Sequence, residues 1–455
     1  MATPTQQQRR ALADQLVESL RPRPRSFTPR EVYGRVWFPG KATVVVGMRR
    51  AGKTTFLHQL RQSVEGDPGQ ERSQAPFVSF EDERLAGLCG EQLGFIVEEF
   101  GRIGGPAAGA PLWCLDEIQL VPGWERFVRR LLDGGGARVV VSGSSAALLS
   151  REIATALRGR AWQVLMHPFS LSEVLRHRRV DIPSRPGDLN LAERSDLERE
   201  FRAWLVAGGF PEAQGLDAAS RHQLLRDYVD VAMLRDVVER HRVTNVAGLR
   251  WLVRHLLGNA AGLFSVEKFH AVLKSQGLAI GRDTVHQLLS HLEDCFLVRL
   301  VWMESKSERQ RMVNPRKVYP VDPGLIPVFD RTGRANVGHA LETAVLVELE
   351  RRGCESTYVR TAQGYEVDFL ARSPDGHRQL IQVCADASDA TTAARELRAL
   401  AAASSEYPDA ALRLLTLTRD GLPDELPANV VGQPAYAWML EHGPGQGTVG
   451  GDAIV

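Results

Sequence analysis

Short apolar runs alternate with helical patterns between residues 41 and 165. Four of these runs are rich in Val, Leu or Phe and are bounded by turns: ATVVVG, APFVSF, PLWCLDE and ARVVVSG. Continuous apolar runs are typical of strands buried on both faces, and their alternation with helices favours a parallel sheet. The pattern therefore predicts an α/β fold with a parallel-sheet core over this part of the chain.

The pattern changes beyond residue 165. It is mostly helical to about residue 310, and within that stretch three helical patterns precede an apolar alternation, which is the order of a winged helix. A second section of apolar alternation, beginning near residue 315, predicts a smaller α/β fold. The predicted segments are an N-terminal arm (1–40), the parallel-sheet core (41–165), a helical lid or linker (166–245), a winged-helix-like module (246–313), a smaller α/β domain (314–440) and a flexible tail (441–455).

Composition narrows the classes of protein. The 455 residues are 44% hydrophobic and 24% charged, which excludes a largely disordered chain. No apolar, charge-free stretch of 18 residues occurs and the start of the chain is polar, so we expect a cytoplasmic protein with no membrane partner. The formal net charge of +1 excludes a protein that coats nucleic acid by charge alone, but it permits a local basic stripe.

A glycine-rich loop follows the first predicted strand and opens a helix. Gly47 and Gly52 frame it, and Lys53 and Thr54 follow directly. Glycines allow backbone N–H groups to turn toward phosphate oxygens, while the lysine reaches the β and γ phosphates and the threonine hydroxyl binds Mg²⁺. Lys53 is one of six lysines in the chain. The pattern predicts ATP and Mg²⁺ as cofactors, with nucleotide-binding residues Gly47, Arg50, Ala51, Gly52, Lys53, Thr54 and Thr55.

A carboxylate pair ends a later predicted strand. Asp116 and Glu117 follow the apolar run Leu112 to Leu115. We expect Asp116 to hold Mg²⁺ together with Thr54, and Glu117 to orient and deprotonate the attacking water, because phosphoryl transfer depends mainly on positioning and charge neutralisation. The pair turns a nucleotide-binding loop into a candidate hydrolase.

Three further residues are candidates for assisting hydrolysis. Ser144, at the end of the strand ARVVVSG, is placed to bond the γ phosphate or the lytic water, and a serine-rich turn is the alternative. Arg158 and Arg160 flank Gly159, and an arginine there could reach the γ phosphate of a neighbouring subunit. Surface arginines are abundant in this chain, so a purely solvated role is the alternative for both.

These motifs together resemble a known family. GMRRAGKTT, LDEIQ, VVVSGSS and LRGR…HPFSLSEVL are similar to the bacterial and archaeal AAA+ ATPases that carry a C-terminal domain of unknown function. The resemblance implies a P-loop fold of the ASCE type, with Lys53, Thr54, Asp116 and Glu117 in the roles given above. It also implies a homo-oligomer, with a hexameric ring as one form. No second sensor arginine is evident in the predicted helical lid.

The winged-helix-like module is a candidate nucleic-acid reader. Its third helix, about 282–294, would present side chains to a major groove, and the segment from Arg299 to Lys317 holds six basic residues against two acids. Packing or oligomerisation is the alternative role for such a module. The candidate DNA contacts are Arg282, Thr284, Gln287, Lys306, Arg309 and Arg311.

The C-terminal domain carries a second acidic pattern. A helix with Glu342 precedes two strand-like runs, the first with Glu366 and Asp368, and this order resembles the PD-(D/E)XK nuclease fold. Gln382 and Cys384 stand where that fold has an acid and a lysine. An amide cannot supply the anionic oxygen that Mg²⁺ prefers, and a thiol lacks a fixed positive charge. We therefore expect an inactive relative of a nuclease with a vestigial site.

The leading hypothesis is Mg²⁺-dependent ATP hydrolysis coupled to DNA binding or remodelling, in repair, recombination or defence. Two alternatives stay open. The first is a nucleotide-dependent, oligomerising switch or scaffold that acts on a protein partner. The second is an ATP-regulated nuclease that uses Glu342, Glu366 and Asp368.

Overall fold

The structure is a computed structural model that describes residues 3–21, 26–64, 75–103, 111–144, 155–278, 280–305, 307–330, 336–441 and 446–448. The chain divides into two compact units, Met1–Met166 with Gly445–Val455, and His167–Pro444. None of the helices in the described ranges combines the length and apolar character that a membrane crossing requires. The six-segment division stays a prediction.

The first unit contains four described helices and seven described strands. In chain order they are α1 (Gln6–Ser19), β1 (Glu31–Tyr33), β2 (Ala42–Val46), α2 (Lys53–Val64), β3 (Phe77–Ser79), α3 (Gly94–Arg102), β4 (Leu112–Asp116), α4 (Trp124–Asp133), β5 (Arg138–Gly143), β6 (Ala161–Leu165) and β15 (Gln446–Thr448).

A parallel sheet forms the core of the first unit. Its order is β3-β4-β5-β2-β6, and every pairing in it is parallel. All residues of β2 and β4 are buried, as expected for strands covered on both faces. Helix α2 packs Phe56, Leu57 and Leu60 into the same core as Val45 and Val140. The predicted α/β fold with a P-loop sheet is confirmed.

The two ends of the chain supply a small separate ladder to this unit. β1 pairs with β15 in antiparallel register, from Glu31 opposite Thr448 to Tyr33 opposite Gln446. β15 lies within the predicted tail, most of which falls outside the described residues.

The second unit is larger and contains the remaining elements. In chain order they are α5 (Leu171–His177), α6 (Leu191–Ala207), α7 (Ala218–Val231), α8 (Val246–Gly258), β7 (Leu263–Phe264), α9 (Val266–Ser275), α10 (Arg282–Asp294), β8 (Val298–Val301), α11 (Glu308–Val313), β9 (Arg316–Pro320), α12 (Ile326–Phe329), α13 (Val337–Arg351), β10 (Glu355–Arg360), β11 (Glu366–Arg372), β12 (Arg378–Cys384), α14 (Ala390–Glu406), β13 (Ala411–Thr416), β14 (Val430–Pro434) and α15 (Ala435–Leu440).

Helices α8, α9 and α10 accompany a small antiparallel sheet of order β7-β9-β8. Helix α10 buries Val285, Leu288, Leu289 and Leu292 on one face. Past β8, the chain runs along the edge of β10, where the Tyr358 N–H donates to the Trp302 carbonyl at 2.9 Å. This pairing covers an edge that would otherwise carry open backbone groups.

The C-terminal sheet has the order β10-β11-β12-β13-β14, antiparallel from β10 to β12 and parallel from β12 to β14. Its two faces belong to different apolar clusters. Phe369 and Ile381 pack with Leu341 of α13, whereas Leu380 packs with Leu400 of α14. The predicted smaller α/β domain is therefore present.

The GGFPE segment, residues 208–212, is a close-packed junction inside the second unit. A Cβ at Gly209 would lie 2.1 Å from the Phe169 carbonyl oxygen, so the position excludes any side chain. The buried Asp322 carboxylate accepts from the N–H groups of Gly209 at 2.7 Å and Gly324 at 2.9 Å. Glycine at this position is thus required by packing.

Candidate functional site

The glycine-rich loop lies between β2 and α2, at the carboxyl end of the sheet. Gly47 has φ 152° and Gly52 has φ 98°, values that L side chains rarely adopt. A Cβ at Gly47 would lie 2.1 Å from the Met166 carbonyl oxygen. Arg50 also has a positive φ, of 66°. The loop is therefore a tight backbone turn at the start of a helix, as the motif predicts.

Lys53 points back into this loop. Its side chain is 5% exposed, and its Nζ donates to the carbonyl oxygens of Gly47 and Met48, each at 3.1 Å. The same ammonium lies 3.7 Å from the Glu117 carboxylate. The structure thus brings together Lys53 and Glu117, two candidates that lie far apart in the sequence.

A hydrogen-bond network joins α2, β4 and β5. The Thr54 hydroxyl donates to Asp116 Oδ2 at 3.0 Å, and the Ser142 hydroxyl donates to Asp116 Oδ1. The Ser142 oxygen also accepts from the Glu117 N–H at 3.1 Å. Hydroxyl and carboxylate oxygens are the ligands that Mg²⁺ prefers, so Thr54 and Asp116 form a suitable donor set.

The two carboxyl groups have opposite pKa shifts. Burial and the negative charge of Glu117 raise the pKa of Asp116 to about 6, although hydrogen bonds from Ser142 and Thr54 oppose the rise. Burial also acts to raise the pKa of Glu117. The positive charge of Lys53 and a hydrogen bond from Gln119 outweigh it and hold that pKa below its usual value. Glu117 is therefore the more acidic of the two carboxyl groups, and it is ionised near neutral pH.

Glu117 also has an uncommon backbone conformation. Its φ is 51°, in the left-handed region, which a non-glycine residue keeps only where the surroundings fix it. The Ser142 hydroxyl fixes the N–H of Glu117, and the Ser144 N–H bonds its carboxylate. This contact with Glu117 comes from the backbone of Ser144, and the role predicted for its side chain, a bond to the γ phosphate or the lytic water, stays a prediction.

Sequence reasoning missed Ser142 and Arg30. Ser142 lies in β5 and Ser144 directly follows that strand, two positions further on, so the alternation of side chains offered both equally. Arg30 belongs to the segment predicted as an N-terminal arm, yet it is 1% exposed and donates to the Ala51 carbonyl at 2.8 Å. It therefore supports the glycine-rich loop from within. Nothing local in the sequence distinguishes it from neighbouring arginines.

The remaining loop candidates lie around these groups. Thr54 and Thr55, at the start of α2, are exposed, whereas Ala51 is buried.

Arg158 and Arg160 line a cavity of about 500 Å³ in the first unit. Arg160 is paired with Asp133 there. The other cavity residues are Gly90, Glu91, Arg126, Arg129 and Arg130.

We expect Ser142→Ala to lower the turnover of ATP roughly tenfold, because Glu117 loses the bond that holds its backbone, and a buried unpaired donor costs about 1–3 kcal/mol. Steady-state phosphate release and thermal unfolding measure the two effects. Ser144→Ala, assayed in parallel, tests the choice made from sequence. A larger loss of turnover in Ser144→Ala than in Ser142→Ala would contradict the assignment to Ser142.

The predicted basic stripe is divided by the fold. Arg299 pairs with Glu350 at 2.8 Å and is nearly buried, and the Arg316 guanidinium lies 3.7 Å from the centre of the Trp302 ring. Arg299 and Lys317 are buried and Arg316 is half-buried, so the prediction of a continuous stripe from Arg299 to Lys317 is wrong at its two ends. Arg309 is exposed and Arg311 is partly so, while Lys306 lies outside the described residues.

The exposed face of α10 holds most of the other DNA candidates. Arg282, His286 and Gln287 are exposed, and Thr284 is half-buried. Arg282 forms a surface ion pair with Glu267 at 3.1 Å. Such pairs are weak in water, so the guanidinium can exchange this partner for another anion.

The three predicted acids of the C-terminal domain surround Lys317, a residue that the sequence pattern assigns to the basic stripe. Lys317 Nζ lies 3.0 Å from Glu342, 2.9 Å from Glu366 and 2.9 Å from Asp368. Burial and the negative charge of Asp368 raise the pKa of Glu342 to about 8. A lysine of β9, and not position 384, thus lies among these acids.

The other two members of the predicted vestigial site have separate partners. Gln382 Nε2 donates to Glu396 at 2.7 Å, and the Cys384 thiol bonds the Asp386 carbonyl at 3.1 Å. The structure therefore gathers three of the five predicted residues around Lys317.

Comparisons with known proteins support the first unit's assignment. Residues 39–175 match the AAA domain family, and residues 198–334 match a domain of unknown function, DUF8612. The uncharacterized protein MJ1544 of Methanocaldococcus jannaschii is 31% identical over 414 residues, which cover 89% of each chain. An uncharacterized protein of Haemophilus influenzae is 30% identical over 335 residues, covering 73% of this chain and 80% of its own. The chain belongs to the family of these two proteins.

The AAA domain contains the glycine-rich loop and the carboxylate pair. Two solved structures resemble the chain at low similarity. The Walker-type ATPase PABY2304 of Pyrococcus abyssi is 15% identical, with a TM-score of 0.35, and the match covers 71% of this chain and 95% of that one. The Aeropyrum pernix Orc1 protein, in complex with DNA, is 15% identical with a TM-score of 0.28, covering 72% and 92%.

Proposed function

We propose that the AAA domain hydrolyses ATP in a Mg²⁺-dependent reaction. The network that joins Thr54, Asp116 and Glu117 next to Lys53 carries the proposal, because it places the nucleotide loop and the carboxylate pair in one site. Mg²⁺ held by Thr54 and Asp116 would neutralise charge on the β and γ phosphates.

Each side chain has a defined task in this proposal. The Lys53 ammonium binds the terminal phosphates, exchanging its present carbonyl partners for phosphate oxygens. The Glu117 carboxylate, ionised because its pKa is lowered, orients the attacking water and accepts its proton. Ser142 holds the backbone of Glu117 and the carboxylate of Asp116 in position.

The experiment is phosphate release by the purified full-length chain with ATP, in Mg²⁺ and in EDTA. The proposal is supported if phosphate release depends on Mg²⁺ and is lost in both Lys53→Ala and Glu117→Gln. Release that is unchanged by EDTA, or that persists in both variants, would contradict it.

We further propose that hydrolysis is coupled to DNA, because α10 presents Arg282, His286 and Gln287 on its exposed face and Arg309 is exposed nearby in sequence. Asp283 on the same face opposes phosphate contact, and the net charge of +1 is close to neutral. These features favour the alternative, a nucleotide-dependent switch that assembles with itself or with a protein partner. Arg158 and Arg160 would then complete the site of a neighbouring copy.

Arg282→Ala combined with Arg309→Ala is expected to weaken DNA binding and to reduce the slope of log affinity against log salt by about 1 for each phosphate that the variant no longer neutralises. Fluorescence anisotropy with duplex, single-stranded and branched DNA across a salt series measures it. Arg199→Ala, an exposed arginine of α6, is the matched control. Absence of binding by the parent chain at about 50 mM salt, with and without a non-hydrolysable ATP analogue, would remove the DNA proposal.

The effect of DNA on the ATPase rate distinguishes coupling to DNA from the nucleotide-dependent switch. Several-fold stimulation by DNA supports coupling to DNA. Indifference to DNA, with assembly that depends on nucleotide, supports the switch.

A further inference from the structure

Three carboxylates of the C-terminal domain converge on one cation. Glu342 comes from α13, and Glu366 and Asp368 come from the start of β11. One oxygen of each lies 2.9–3.0 Å from Lys317 Nζ. An ammonium has three N–H donors, and here each donor has a carboxylate oxygen within reach. Lys317 is 4% exposed, so the ammonium lies inside the domain rather than at its surface.

Two of the three carboxylates, Glu342 and Asp368, are also held in place by groups other than the lysine. The Tyr319 hydroxyl donates to Glu342 Oε1 at 2.6 Å, and the Val383 N–H donates to Asp368 Oδ2 at 3.0 Å. Tyr319 is buried and packs near Phe369, which fixes its direction. The Glu342 and Asp368 oxygens are therefore held by neighbouring strands as well as by the ammonium.

The arrangement has the oxygen donors of a cation site. Oxygen ligands bind divalent ions at about 2.0–2.6 Å, so an ion at the position of Nζ would need each oxygen to move inward by only about 0.5 Å. Three acids around a single positive charge also exceed what one ion pair requires. Both features suit a cation with more than one positive charge.

We propose that the Lys317 ammonium takes the place of a divalent metal ion in this three-carboxylate site. The native domain is therefore built to keep its fold without a metal, and the carboxylate cluster becomes a metal site once the ammonium is removed. This inference does not depend on the proposed ATPase activity, because Lys317 and its partners lie in the second unit.

The test replaces Lys317 by methionine, which keeps the length of the side chain and removes its charge. Without metal, Lys317→Met should unfold at a lower temperature than the parent chain, since three carboxylates then face one another. Mn²⁺ should raise the unfolding temperature of the variant by several degrees more than that of the parent, because a ligand that binds only the folded state stabilises it.

A direct binding measurement uses Tb³⁺, whose luminescence is sensitised by nearby tyrosines. Tyr319 bonds Glu342, and the Tyr358 ring lies 6.0 Å from Lys317 Nζ. Lys317→Met should show a saturable Tb³⁺ signal at least about tenfold above that of the parent, and Lys317→Met with Asp368→Asn should lose it. Ions bound in the AAA domain contribute equally to all variants, so the difference reports this cluster.

The matched control is Lys274→Met, which replaces an exposed lysine of α9. This variant should gain neither the stabilisation by Mn²⁺ nor the Tb³⁺ luminescence. If Lys317→Met does not fold without metal, refolding in Mn²⁺ and unfolding by EDTA provide the readout. The variant with Glu342→Gln added carries one carboxylate fewer and provides a folded background for the Tb³⁺ titration.

Two results would overturn the proposal. One is a folded Lys317→Met that gains no Tb³⁺ or Mn²⁺ response over the parent chain. The other is a parent chain that already binds Tb³⁺ at this cluster, detected as a signal that disappears on Asp368→Asn, because the lysine would then leave room for a metal.

Discussion

Lys53→Ala is expected to abolish ATP binding at concentrations that saturate the parent chain. The buried ammonium bonds two carbonyl groups of the loop, and phosphate oxygens can replace these partners. Hydrogen bonds to charged groups contribute about 1.5–3 kcal/mol each, so losing two of them lowers affinity by roughly 10²–10⁴-fold. Titration with a fluorescent ATP analogue measures the loss.

The matched control is Lys41→Ala, another of the six lysines and also in the first unit. Lys41 lies over the rings of Phe38 and Trp162, at 4.8 and 5.8 Å, and not in the glycine-rich loop. The Lys41→Ala variant should bind ATP with the affinity of the parent chain. Affinity in Lys53→Ala within about threefold of the parent would show that the loop does not bind the terminal phosphates through Lys53.

The core fold and the main site residues could be predicted because their signals are local. The run ATVVV is buried at every position, and the motif places Gly47, Gly52 and Lys53 at fixed intervals after it. A motif of this kind specifies its own strand, turn and helix. Asp116 could be predicted as a site residue for the same reason, because it ends a continuous apolar strand.

Contacts between distant segments that no motif connects could not be predicted. Arg30 lies 21 positions from its partner Ala51, and Lys317 lies 51 positions from Asp368. In a chain with about 50 arginines, the composition does not reveal which one is buried. The basic stripe failed for the same reason, because charge counted along the sequence does not report whether Arg299 or Lys317 faces water or an internal acid.

Lys317 also changes the comparison with the nuclease pattern. Position 384 is a cysteine, yet a lysine reaches the three acids from β9, where the order of elements puts it outside the usual spacing. A spacing rule detects a residue only in its usual element. Side-chain geometry detects the same charge when a neighbouring strand supplies it.

Glu117→Gln is expected to bind ATP and to lower its turnover by about 10²–10⁴-fold, the usual contribution of a general base. Glutamine keeps the size of the side chain and the Gln119 hydrogen bond can be retained, but it cannot accept the proton of the attacking water. Lys53 also loses an anionic neighbour at 3.7 Å, so its attraction for phosphate should not weaken. Single-turnover hydrolysis and equilibrium ATP binding, measured on the same preparation, separate the two effects.

The matched control is Glu125→Gln, in the first turn of α4, which should hydrolyse ATP at the rate of the parent. The split between binding and turnover is the informative quantity, because misfolding would reduce both. Hydrolysis by Glu117→Gln equal to that of the parent would overturn the assignment of the base. Loss of ATP binding along with turnover would instead assign Glu117 to holding the loop through Lys53, and the base would have to be sought among the other polar groups that end β4 and β5.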